Sequence, residues 1–213
     1  MGLLIFLSAC SALPFFNAAP TPVNRLSYDA PVSLSIKNGS ILPGTMIAYT
    51  GKADNGAAKI LIAGLLAPKQ VADTVDWEGT PAPNVSLRLN TRVAAYDDQS
   101  ITLIGTAHVD ITSVTVQPGG TPGPALIEFG APVTFSLKPN EIVPGTNLAY
   151  AGATTNGAQF LGLEGYPYRK QLDSLQYVGR LNQKVFLRFD LRLVNYSDTS
   201  VVLGGTANIR VEQ

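Results

Sequence analysis

The chain says most of what it says twice. Ala30-Pro31-Val32-Ser33-Leu34-Ser35-Ile36-Lys37 returns 101 positions later as Ala131-Pro132-Val133-Thr134-Phe135-Ser136-Leu137-Lys138. Pro43-Gly44-Thr45, Ala48-Tyr49 and Asn55-Gly56-Ala57 return at the same offset as Pro144-Gly145-Thr146, Ala149-Tyr150 and Asn156-Gly157-Ala158. One residue is then dropped, and Asp73, Gly79, Arg88, Arg92, Tyr96 and Asp98 match Asp173, Gly179, Arg188, Arg192, Tyr196 and Asp198 at an offset of 100. Two offsets held over such a length read as an internal duplication. Two copies are too few for a solenoid, which needs at least three to bury a continuous core, so the repeat predicts two tandem homologous domains.

Gln117-Pro118-Gly119-Gly120-Thr121-Pro122-Gly123-Pro124 separates the copies and is Pro or Gly at all but two positions, the composition of a linker. The expected organisation is a β domain over residues 23–116, this linker over 117–124 and a second β domain over 125–213. Each copy is long enough to carry a core of its own.

Within each copy the apolar period is two. Val185, Leu187, Phe189, Leu191 and Leu193 alternate with Phe186, Arg188, Asp190 and Arg192, the pattern of a half-buried strand. Val201, Leu203, Ala207, Ile209 and Val211 share one face of the next run, with residues 195–200 as the turn. Asn55-Gly56 and Asn156-Gly157 mark a second hairpin in each copy, because both residue types accept positive φ. With the Ala-Pro-Val strand and the segments around Trp77 and Tyr177, each copy reaches about six strands. No stretch keeps a helical period, so the expectation is all-β, as small barrels or sandwiches.

Composition narrows the function classes. Fifteen Lys+Arg balance fifteen Asp+Glu, so there is no basic field to neutralise phosphates, which argues against nucleic acid as a partner. An apolar share of 46% can fill a core and argues against disorder. One Cys and one His supply neither a disulfide nor a zinc site.

Residues Gly2 to Leu7 are almost wholly apolar and run into Leu7-Ser8-Ala9-Cys10. This tetrad resembles the lipobox of bacterial lipoproteins. The resemblance implies a signal segment over residues 1–9, lipid attachment at Cys10 as the first mature residue, and a membrane partner through that lipid. Residues 10–22, with Pro14, Pro20 and Pro22, then form an extended tether. The rival reading is cleavage near Asn17-Ala18-Ala19, which yields a secreted chain without lipid. Either route exports the protein.

The candidate residues divide into a few groups. Tyr166, Tyr168, Arg169 and Lys170 lie where the copies diverge most, since the first copy has Leu65-Leu66-Ala67-Pro68-Lys69-Gln70 in that region. Tyrosines beside cations can stack on sugar rings or grip a protein partner, and they can equally cover the end of a barrel. Arg88 and Arg92, like Arg188 and Arg192, share a strand face and fit cross-strand pairing, with Asp110 as the partner in the first copy. His108 falls on a polar strand face. Asp73, Asp98, Asp173 and Asp198 have turn neighbours, the setting in which Asp caps local backbone. Trp77 and Tyr177 stand at matching strand positions and are expected in the core.

No nucleophile elbow, Walker loop or His-Glu-x-x-His helix is present. The sequence assigns no catalytic residue, no metal ligand and no cofactor. The expected function is an exported, lipid-anchored, non-enzymatic envelope protein that binds an envelope glycan or a surface protein. Two alternatives remain: a structural or assembly subunit working through strand pairing, and an enzyme whose carboxylates converge only in the fold.

Overall fold

The computed structural model describes residues 24–213, so Cys10, the signal segment and the tether lie outside the described residues. The first half has eight strands: β1 (Arg25–Lys37), β2 (Ser40–Ile41), β3 (Ile47–Lys52), β4 (Ala58–Ile62), β5 (Leu65–Lys69), β6 (Thr74–Ala82), β7 (Val85–Tyr96) and β8 (Ser100–Thr112). A short β9 (Gln117–Pro118) follows. The second half has β10 (Ala125–Leu137), β11 (Ala149–Thr154), β12 (Gly157–Leu161), β13 (Tyr168–Arg169), β14 (Ser174–Asn182), β15 (Val185–Tyr196) and β16 (Val201–Glu212). The described residues are all-β.

Each half builds a large and a small antiparallel sheet. In the first half the orders are β1-β8-β7-β6 and β2-β3-β4-β5; in the second they are β10-β16-β15-β14-β9 and β11-β12-β13. The sheets stay open, so the arrangement is sandwich-like rather than a closed barrel. Registers recur as well. Ala30 faces Ala107 and Leu34 faces Leu103, as Ala131 faces Ala207 and Phe135 faces Leu203. Bulges fall at Val93/Ala95 and at Leu193/Asn195, the same place in both long hairpins.

The alternation predicted for the long hairpins is present. Val185, Leu187, Phe189, Leu191 and Leu193 are all buried, together with Val201, Leu203, Ala207, Ile209 and Val211 across from them. Trp77 and Tyr177 are buried as expected. Each folds over a glycine two residues on, where a Cβ on Gly79 would lie 2.4 Å from the indole and one on Gly179 2.5 Å from the phenol oxygen. The ring thus takes the space that the missing side chain leaves in the strand.

The small sheets cap the open ends of the large ones through matched tyrosines. The Tyr49 hydroxyl donates to the carbonyl of Asp97 at 2.5 Å, and that of Tyr150 to Ser197 at 2.6 Å, both in the turn of the long hairpin. Burial raises the pKa of both phenols, so both remain donors.

Three details differ from the sequence-based expectation. The six strands expected per half are all there, but β2 and β5 are added in the first and β13 in the second. Two of these are two residues long and the third contains Pro68, so none has a readable period. The second NG hairpin turns on Thr155 and Asn156, with Thr154 facing Gly157 as the first pair of the ladder. Finally, the Pro/Gly connection does not hang free: Gln117 and Pro118 pair with Arg180 and Gly179 at the edge of β14. The buried apolar side chains of the two halves join in one cluster.

Candidate functional site

The segment carrying Tyr166, Tyr168, Arg169 and Lys170 is built differently from its counterpart. In the first half β4 turns through Ala63 and Gly64, both at positive φ, straight into β5. In the second half β12 ends at Leu161, six loop residues intervene, and only Tyr168 and Arg169 return to pair with Gln159 and Ala158. The sequence divergence therefore marks an edge strand replaced by a strap.

Arg169 holds that strap in shape. Its Nη1 donates to the carbonyls of Tyr166 at 2.7 Å and Tyr168 at 2.8 Å, and its Nε to that of Ser174 at 3.0 Å. Its guanidinium is therefore engaged with backbone and acts as a positioning group. The Tyr166 ring is 64% exposed and meets Tyr168 edge to face with centroids 5.3 Å apart. The Lys170 side chain is exposed, while its N–H donates to Asp173 at 2.7 Å.

A crevice of about 350 Å³ lies beside the strap, with Arg169, Glu164, Asn147, Gln176 and Tyr177 in its wall. It follows the edge of β14. The Val178 carbonyl accepts from Gly119 N–H at 2.8 Å, and the Ser174 carbonyl accepts from Arg169. Gln176 lies midway between them and, by the period of a strand, presents its own N–H and C=O to the same side. The Tyr177 hydroxyl is buried with no partner among the described residues, and burial pushes its pKa up to about 12. It stays a neutral donor.

The other candidates are structural. Asp73 and Asp173 cap their turns as expected, each accepting at 2.7 Å from the N–H of Gln70 or Lys170. Asp98 does not cap: Asp97 accepts from the N–H groups of Gln99 and Ser100, which hold its carboxyl below the usual range, while Asp98 meets Lys52 at 3.2 Å. Arg92 and Arg192 donate to the carbonyls of Ala72 and Leu172, both residues at positive φ, and so brace matched turns. Arg88 pairs with Glu78, and Arg188 with Asp190.

Asp110 is not the partner of these arginines. It binds Arg25 at 2.9 Å, the Ser27 hydroxyl, and His108 Nε2 at 3.3 Å, while Nδ1 of His108 lies 2.7 Å from Asp29. This is where carboxylates converge around the histidine. The Ser27 hydroxyl donates to Asp110 rather than to His108, so the imidazole is not placed as its base. The register of β1 against β8 assembles the group, and Asp29 gave no signal of it in the sequence.

A crevice of about 720 Å³ lies between the halves and was not legible in the sequence. Asn84 and Ser113 reach it from the first half, Gln117 from the connection, and Arg180, Asn182 and Gln183 from the second. Its floor is an ion pair. Arg180 donates to both oxygens of the buried Glu212, at 2.6 and 3.1 Å, and to the carbonyl of Thr121 at 3.1 Å.

Fold and sites define an all-β protein with a repeated strand plan and two crevices bordered by β14. Compared with models of known families, with curated proteins and with solved structures, the chain matches none.

Proposed function

We propose that the chain is an exported, lipid-anchored, non-enzymatic protein of the cell envelope, attached through Cys10, whose second half binds an envelope glycan or a surface protein. The observation that carries the binding reading is the Arg169 clamp on the carbonyls of Tyr166, Tyr168 and Ser174. It spends a guanidinium on fixing the backbone that carries an exposed aromatic ring. A ring on a backbone fixed before contact loses less entropy when a sugar or an apolar side chain stacks on it. The adjoining β14 edge supplies main-chain groups for hydrogen bonds to the same ligand.

The test is retention on purified cell-wall polysaccharide and on intact envelope protein. Tyr166→Ala with Tyr168→Ala is expected to lower retention at least tenfold while the unfolding midpoint stays within a few degrees. Unchanged retention contradicts the strap as the binding site.

A second reading, assembly through strand pairing, draws on one observation. β5 ends its sheet with Leu65 75% and Leu66 59% exposed, and an open apolar edge is a template for another strand. Concentration-dependent sedimentation abolished by Leu66→Lys supports it; a monomer at every concentration removes it.

A further inference from the structure

The crevice between the halves has a chemistry that selects its ligand, and we infer that it binds a neutral, polyhydroxylated ligand, a short oligosaccharide. This goes beyond the strap, which lies further along β14.

The volume of about 720 Å³ is in the range of small-ligand sites. Pro83 aside, the residues that line it are polar or charged. Arg180 is answered by Glu212 and Thr121, while the Lys184 ammonium donates to the carbonyl of Gln213 at 2.6 Å and keeps its charge. An anion would find Arg180 taken and Glu212 beside it. A cation would meet the charge of Lys184.

Beyond Lys184, what is left to offer is neutral. Gln117 and Gln183 present exposed carboxamides, and Ser113 and Thr115 present hydroxyls. Carboxamides both donate and accept, which suits hydroxyls that do the same. The Asn182 carboxamide is oriented by the Lys184 N–H, which donates to its Oδ1 at 2.9 Å, and its Nδ2 has no partner among the described residues. Asn84 and Ser113 both sit at positive φ, at 63° and 52°, so the backbone on this wall is held in an uncommon conformation. Residues from both halves and the connection meet here, so the crevice exists only when the halves are docked.

The experiment is an amide-resolved NMR titration of the full chain carrying Cys10→Ser. The probes are chitotetraose and maltotetraose, with tetragalacturonate as the anionic control. Saturable shifts at Asn182, Gln183 and Ser113 with a neutral probe are expected. Gln117→Ala with Gln183→Ala, both exposed, should weaken that binding at least tenfold without moving the unfolding midpoint. Silence with both neutral probes overturns the inference, as does equal or tighter binding of the uronate, or binding that the double variant leaves unchanged. Shifts confined to residues 166–170 also overturn it while supporting the strap; shifts confined to the crevice do the reverse for a glycan at the strap.

Discussion

Gly105 and Gly205 mark points where neighbouring strands come too close for any side chain. A Cβ on Gly105 would lie 2.1 Å from the carbonyl oxygen of Asn90, and one on Gly205 2.2 Å from that of Asp190. Backbone cannot yield as a side-chain tip does, so Gly105→Ala or Gly205→Ala should cost about 2–3 kcal/mol, the upper range for overpacking, in urea unfolding. Gly105-Thr106-Ala107 repeats as Gly205-Thr206-Ala207 at the offset of 100, so the sequence marks both positions, but the reason lies in the partner strand. Glu212 makes the same point about charge. The Arg180 hydrogen bonds, and then the Gly123 N–H, hold its carboxyl below the usual range against the pull of burial. A depressed carboxylate pKa stabilises the fold above the unfolded value, about 4.3, and that contribution is lost as pH falls through the folded one. Unfolding followed from pH 6 down to pH 3 should show this loss, and Glu212→Gln should flatten the part that Glu212 contributes. Arg180→Ala, which leaves a mostly buried carboxylate unpaired, should cost about 2 kcal/mol, below the roughly 3–5 kcal/mol of a fully buried pair.

At the scale of elements, the long hairpins were legible because an unbroken period of two decides both the strand and its buried face. The small sheets were less so. β5, with Pro68, and the two-residue β13 exist because neighbouring strands offer an edge, not because their own residues call for one. The strap was visible as a divergence between copies, yet the Arg169 clamp was not, since it depends on three carbonyls meeting one guanidinium. The junction between small and large sheets rests on Tyr49 and Tyr150. Tyr49→Phe or Tyr150→Phe leaves a turn carbonyl without its donor and should cost about 1 kcal/mol each in thermal or urea unfolding. If both changes are neutral, the matched hydroxyls do not fasten the sheets.

Across the whole molecule, the repeat predicted two units and a linker, and the structure adds how the connection is used. Gln117 and Pro118 extend the β14 sheet, Arg180 grips Thr121, and one apolar cluster runs through both halves. Neither the shared cluster nor the crevice between the halves was readable, because each is made by docking rather than by local pattern. With the core continuous, the two halves should unfold in one transition, with calorimetric and van 't Hoff enthalpies equal; two resolved transitions would show that the halves are stable separately. We propose that this body is held at a membrane through Cys10 as its first mature residue, and an intact mass of the protein extracted from its native membranes decides the matter. The expected chain begins at Cys10 and carries a covalent lipid. A chain beginning near Ala19 without lipid, or one retaining residues 1–9, would contradict it.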